Sequence, residues 1–242
     1  MKYFIDTEFI EGFRKPWLGK KAHFIDLISI GIVAENGNEY YAISSEFDPK
    51  EANTWVYENV LNPLLLEWVQ SYSGDCRNRY LDRIANTGKH GSIRVMQKFA
   101  GKSLHTIAEE ILRYIAYNEN EDLHPADFYA QLHKGNESLF KDVQFYGYYA
   151  DYDWVVFCSL FGTMVDLPKG FPMYCKDLKQ MLDDKVASEY TEAGKLFEAA
   201  LSEMKSRPNY PKQLFGQHNA LEDARWNYEL YKFLKTSNQY IH

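Results

Sequence analysis

With 242 residues, 45% hydrophobic and 25% charged, the chain has the size and make-up of a globular enzyme with one well-filled core. A formal net charge of −7 excludes a protein that holds nucleic acid through overall positive charge, but not an acidic enzyme whose carboxylates gather cations. Cys76, Cys158 and Cys175 form no C-x-x-C pair, which argues against a disulfide framework. Aromatic residues reach 16%, a fraction that suits either densely packed rings or a surface that stacks bases.

Lys2 to Phe9 reads as a strand, followed by a loop containing Gly12, Pro16 and Gly19. Phe24 to Ala34 is almost wholly apolar at its centre, as in a strand buried on both faces. Asn36-Gly37 is a strong hairpin signal, and a third strand runs from Glu39 to about Ser44. Helical patterning follows at Trp55 to Val69, interrupted by Pro63. It returns at Leu104 to Tyr117, where Leu104, Ile107, Ala108, Ile111, Leu112 and Ile115 repeat at helical spacing. A strand at Val143 to Tyr149 precedes a helix that opens at Trp154. Further helices are expected at Cys175 to Leu182, Ala193 to Met204 and about Ala220 to Leu234. No apolar run is long enough to span a bilayer and no signal-peptide h-region opens the chain, so the cytoplasm is the default location.

Seven Lys and Arg between Cys76 and His105 stand against Asp82 alone. Gly88, Gly91 and Gly101 mark this positive island as loop-rich. It reads either as a solvated surface insertion or as a contact for a phosphate backbone.

The acids carry the chemistry. Asp6 and Glu8 are two apart in a strand, so both carboxylates point the same way. Tyr3, Phe4, Ile5, Phe9 and Ile10 surround them, which makes the strand central and leaves the pair in need of a cation. Asp223 lies near the start of the last helix, on the face of Leu230 and Leu234. Asn219 is placed to cap that helix, with Glu222 completing a capping box. His218 immediately precedes it and can take a proton near neutral pH. Asp151 and Asp153 follow the fourth strand, where acids of an α/β sheet commonly face a crevice.

Together these residues resemble the DEDD exonuclease superfamily. Its first motif is matched by Asp6-Thr7-Glu8 and its second by Tyr152-Asp153. The third, H-x-A-x-x-D, is matched by His218-Asn219-Ala220-Leu221-Glu222-Asp223, with His five before the last acid as in the DEDDh branch. The stretches Tyr3 to Glu11, Leu27 to Glu35 and Tyr152 to Val155 are similar to the bacterial and phage polyadenylate-specific 3′-exoribonuclease group. The superfamily's frequent Asn ahead of the second-motif Asp is absent here, where Tyr149 and Ala150 stand.

The resemblance implies an α/β fold with an RNase H-like mixed β-sheet flanked by helices. It further implies one exonuclease domain over 1–242, carrying a basic insertion at about 73–103 and a helical insertion at about 187–211. Two divalent cations, Mg²⁺ or Mn²⁺, would be held by Asp6, Glu8, Asp153 and Asp223, and His218 would be the general base. The implied substrate is single-stranded nucleic acid with a free 3′ end, RNA before DNA, released as nucleoside 5′-monophosphates. A homodimer is compatible with the resemblance, and no membrane is involved. The alternatives are a 3′-5′ exodeoxyribonuclease and an RNase H-like endonuclease. Groups placed to sense a 2′-hydroxyl are the backbone around Thr7 and Phe9 and the carboxylate of Glu8. Phe9 itself is expected to pack inward.

Overall fold

The computed structural model describes residues 1–15, 19–133, 137–190, 196–213 and 216–236. Three strands open the chain as an antiparallel meander: β1 (Lys2–Arg14), β2 (Ala22–Ala34) and β3 (Glu39–Ser44). Gly37 supplies the left-handed residue of the hairpin turn, φ 90°, and the Asn36 side chain accepts a hydrogen bond from the Asn38 N–H. β1 is longer than its apolar stretch. It runs past Gly12, which is a strand residue and not part of a loop. There a Cβ would come within 2.9 Å of the Phe24 ring on the paired strand. Pro16 lies outside the described residues.

Three short strands complete a mixed six-stranded sheet of order β4-β3-β2-β1-β5-β6. β4 (Gly101–Lys102) lies parallel to β3, β5 (Gln144–Gly147) lies parallel to β1, and β6 (Lys176–Asp177) lies parallel to β5. Helices flank this sheet, so the expected α/β mixed-sheet class holds.

The helices depart from expectation in places. α1 (Thr54–Val56) passes through a π turn (Tyr57–Leu61) into α2 (Asn62–Gln70). Pro63 sits in the first turn of α2 and therefore does not interrupt the segment. The basic island is not loop-rich: α3 (Gly74–Ala85) and α4 (Lys89–Ala100) form a helical hairpin. Its glycines punctuate the helices, with Gly88 and Gly101 bracketing α4. Gly91 lies inside α4, packed under the Thr87 side chain.

α5 (Leu104–Glu119) fills its expected place, and α6 (Pro125–His133) follows. α7 (Asp151–Ser159) begins earlier than Trp154, which puts Asp153 in its first turn. The segment from Cys175 is not helical throughout, because Lys176 and Asp177 pair with β5 before α8 (Leu178–Tyr190) starts. Asp177 then caps α8, accepting from the N–H groups of Lys179 and Gln180. α9 (Phe197–Ser206) covers part of the expected Ala193 to Met204 helix, of which 193–195 lie outside the described residues. α10 (Ala220–Lys235) closes the fold. Among the described residues no helix is long and apolar enough to cross a membrane.

Alternation along β1 sorts its side chains between distinct cores. Tyr3, Ile5 and partly buried Phe9 join a cluster with α5 and α7. On the other face Phe4 joins a cluster with α8, α9 and α10, and Ile10 joins one with α2 and α4. Asp6 and Glu8 hold the two positions between Phe4 and Ile10. A bulge between Glu8 and Phe9 leaves Ile28 of β2 without a partner and shifts the phase of the alternation, so Leu27 and Ile30 face the same cluster. That phase shift and two-sided burial explain why β2 reads as one apolar run.

Gly31 interrupts that run for a steric reason. It pairs with Asp6, and the first turn of α10 crosses directly over it. A Cβ there would lie 2.2 Å from the Ala220 carbonyl oxygen, which is backbone and cannot swing aside. Gly31→Ala should therefore lift α10 off the sheet and cost about 1–3 kcal/mol or more. Chemical denaturation should read this as a lowered midpoint with an unchanged slope; an unchanged midpoint would contradict the close approach.

Candidate active site

β5 leaves β1 after Phe4 pairs with Tyr146, so the next part of β1 has no strand neighbour on that side. Two side chains take up the freed backbone groups. Asp153 Oδ1 accepts from the Thr7 N–H at 2.8 Å and from the Thr7 hydroxyl at 2.6 Å, and Asn227 of α10 donates to the Ile5 carbonyl at 2.9 Å. Asp153 is thereby buried beside the carboxylate pair. Asp151 is exposed, so of the two second-motif candidates only Asp153 reaches the cluster. The turn carrying them is held by Asp177, whose carboxylate accepts the Ala150 N–H at 2.9 Å.

α10 delivers the opposite wall. Asn219 caps it as expected, its side-chain oxygen accepting from the N–H groups of Leu221 and Glu222. Glu222 does not complete a capping box, because its carboxylate turns to Arg225, which also pairs with Glu39. Asp223 accepts from the Gln213 amide at 2.6 Å and from the His218 N–H at 2.9 Å. His218 has φ 65°, a left-handed conformation that aims its N–H at Asp223. Its ring meets Trp55 of α1 edge to face, with centroids 4.9 Å apart. Donor atoms of Glu8, His218 and Asp223 lie within 4.8 Å of one another. Asp6 and Asp153 are not part of that tight group, and Asp153 is turned into Thr7.

Asp6 and Glu8 have no hydrogen-bond partner among the described residues. Burial holds Asp6 well above the ordinary carboxylate range, and the charges of Asp153, Asp223 and Glu8 add to the effect. Burial likewise lifts Glu8 to about 8, reinforced by Asp223 and Asp153. Asp153 is lifted to about 6 by burial, against the pull of its two Thr7 bonds. Asp223 is raised by burial and held back by Gln213 and His218. Four carboxylates that repel one another, two of them without donors, are an oxygen-rich set suited to a hard divalent cation.

A cavity of about 460 Å³ opens from this cluster, lined by Asp6, His218 and Asp223 together with Tyr148, Lys205 and Trp226. Phe9 packs against the first core as expected and also stacks on Tyr152, with rings 5.8 Å apart and nearly parallel. Since the Thr7 N–H is engaged by Asp153, it is withdrawn from any contact with a 2′-hydroxyl. Sequence reasoning missed Trp55, Gln213, Asn227 and Gly31. Only Gly31 left a signal, as the one residue without a side chain in an apolar run. The three cysteines are free thiols.

No family model matches the chain. It is similar to two curated relatives from Mycobacterium tuberculosis, strains H37Rv and CDC 1551, each named 3′-5′ exoribonuclease. Each is 29% identical over 225 residues, a match that covers 93% of this chain and 88% of the relative.

The raised carboxylates set a pH dependence. Glu8 and Asp153 bind protons more tightly in the folded chain than in the unfolded one, so stability is lost as pH rises. The loss begins near their ordinary values of 4.5 and 3.8 and continues through about 6 for Asp153 and about 8 for Glu8. In EDTA the melting temperature should fall across that window, and Glu8→Gln should flatten its upper part. Added Mg²⁺ should raise the melting temperature more at pH about 8 than at pH about 5. A thermal-shift series giving a pH-independent metal effect would contradict this picture.

Proposed function

We propose that the protein is a metal-dependent 3′-5′ exonuclease of DEDDh type acting on single-stranded RNA. The observation that carries this reading is the convergence of Asp6, Glu8, Asp153, Asp223 and His218, from three separate segments, around the middle of β1. The similarity to proteins named 3′-5′ exoribonuclease supports the polarity and the substrate. The reading covers the whole chain as one RNase H-like exonuclease domain.

Asp6, Glu8, Asp153 and Asp223 would hold two divalent cations. Such ions supply the positive charge that keeps the acids ionised and clamps a scissile phosphate. His218 accepts the proton of the attacking water; it lines the cavity, its ring rests on Trp55 and its backbone N–H fixes Asp223. Asn219 and Gln213 position that wall. Hydrolysis then releases a nucleoside 5′-monophosphate, and the shortened strand keeps a free 3′-hydroxyl.

Strands labelled at the 3′ or 5′ end, incubated with Mg²⁺ or with EDTA, test activity, polarity and metal dependence together. EDTA should abolish hydrolysis and Mg²⁺ or Mn²⁺ restore it. Asp6→Asn should lose nearly all activity while raising the melting temperature of the metal-free protein, since it removes a buried repelling charge. Full activity in EDTA would end the proposal.

His218→Ala should lower kcat by roughly 10²–10⁴-fold, with metal-induced stabilisation retained. For substrate choice, matched RNA and DNA strands are compared with an RNA carrying one 2′-deoxy sugar at its 3′ terminus. RNA should be degraded faster; equal or faster cleavage of DNA would turn the reading to an exodeoxyribonuclease.

A further inference from the structure

The helical hairpin α3–α4 is unlike the rest of the molecule in charge, and its first helix in burial. Residues 74–102 hold seven Lys and Arg against Asp75 and Asp82, a local charge of +5 in a chain of −7. α3 spans twelve residues and none of them is buried. It is held by Tyr80, whose ring packs on Trp68 at 4.6 Å, on Tyr72 at 4.8 Å and on Phe99 of α4 at 5.2 Å. The Arg83 guanidinium lies over the Phe99 ring at 4.9 Å, and Phe99 is exposed.

Two of the seven cations have acidic partners: Arg94 pairs with Asp48 and Lys102 with Glu110. Arg77, Arg79, Arg83, Lys89 and Lys98 form no ion pair among the described residues. Helical spacing brings Arg79 and Arg83 together on a face that Asp75 and Asp82 also border one turn from Arg79, while Arg77 is exposed on the opposite side of α3.

This face connects to the carboxylate site. The Lys89 ammonium lies over the Tyr57 ring at 3.7 Å, and Tyr57 donates to the Lys89 carbonyl at 3.2 Å. Tyr57 directly follows α1, which carries Trp55 against His218. α2 is tied to the start of α10 by the Asn219 amide, which donates to Glu67 at 2.7 Å. The hairpin therefore stands on the same wall that presents His218.

We infer that the α3–α4 hairpin is a docking surface for the upstream part of a single-stranded RNA whose 3′ end lies in the carboxylate site. The inference rests on the exonuclease reading above. Phosphates would meet Arg77, Arg79, Arg83 and Lys98, and the exposed Phe99 ring beside Arg83 offers a base a stacking partner. The contact is to the backbone, so it acts on every sequence and grows with strand length until the hairpin is covered.

The test uses the full chain with Arg77, Arg79, Arg83 and Lys98 all changed to Gln. These positions are exposed, so the melting temperature should barely move. Activity is measured on a dinucleotide and on a strand longer than the roughly 4–16 nucleotides that a single-strand binding fold covers. Binding of the long strand, fluorescently labelled, is followed in EDTA at several salt concentrations. The variant should bind the long strand about 10–100-fold more weakly, with a salt slope lower by about 2–3, at roughly 0.7 per lost contact. Its kcat/KM on the long strand should fall to match, while turnover of the dinucleotide stays at the wild-type value.

Unchanged binding and salt slope would overturn the inference. So would an equal loss of activity on both substrates. If the wild type degrades neither strand, the exonuclease reading fails, but the binding comparison still decides the hairpin. If the wild type does not bind the long strand at all, the inference is wrong.

Discussion

Two like charges on adjacent inward positions of a central strand are the constraint to which the surrounding structure answers. Phe4 and Ile10 continue the same face of β1 into hydrophobic clusters on either side, so apolar residues at positions 6 and 8 would join those clusters into one. The chain instead keeps two carboxylates there and leaves them without donors. Retaining unpaired acids in such a place costs stability, and strain of this kind concentrates at sites with a task. The neighbouring elements are shaped to it. β5 ends early, and β2 sets only Gly31 and Ser29 opposite the acids.

The start of α10 acts as the lever that completes the site. Its position is fixed from below by the Gly31 contact, at its tip by Asn219 and along its length by the Asn227 bond to Ile5. Asp223 and His218 then follow from one local geometry. The left-handed backbone at His218 turns its N–H inward to Asp223 and leaves its ring against Trp55. Non-glycine residues take this conformation at a cost, and it persists only where surrounding contacts over-determine it. Acid and imidazole are thus placed as one unit, and neither can shift without the other.

Strand alternation and helix spacing made much of this legible. The Asp6–Glu8 pair, the Asn36-Gly37 turn and the extent of α10 were readable because each rests on a local period or a local turn. The Asn219 cap was readable for the same reason. The α3–α4 hairpin was not, because α3 buries none of its residues and the glycines look alike whether they end helices or populate loops. β6 was hidden by its length, since two residues of pairing leave no alternation to detect. Trp55 and Gln213 reach the site only through tertiary packing, across separations of 163 and 10 residues to His218 and Asp223. The sequence favours Asp153 over Asp151 through the aromatic-Asp step and the helix that follows; the reason one is buried and the other exposed is tertiary, since the departure of β5 frees the Thr7 N–H that Asp153 accepts.

Net charge is a poor guide to how such a molecule meets a polyanion. At physiological ionic strength charges are screened over about 8 Å, whereas each twelve-residue helix of the hairpin extends about 18 Å. The +5 of the hairpin and the −12 of the remainder therefore do not cancel across the surface. A strand approaching at long range senses little of either, and at contact range it senses only the side that it touches. A carboxylate cluster built on the middle of β1 and a cation-rich hairpin can then coexist in one acidic chain. The first set calls for cations before any phosphate can approach, and the second needs none. Under the proposed reading, binding of the strand persists when the metal is removed, so docking on the hairpin and hydrolysis at the carboxylate cluster are separable properties.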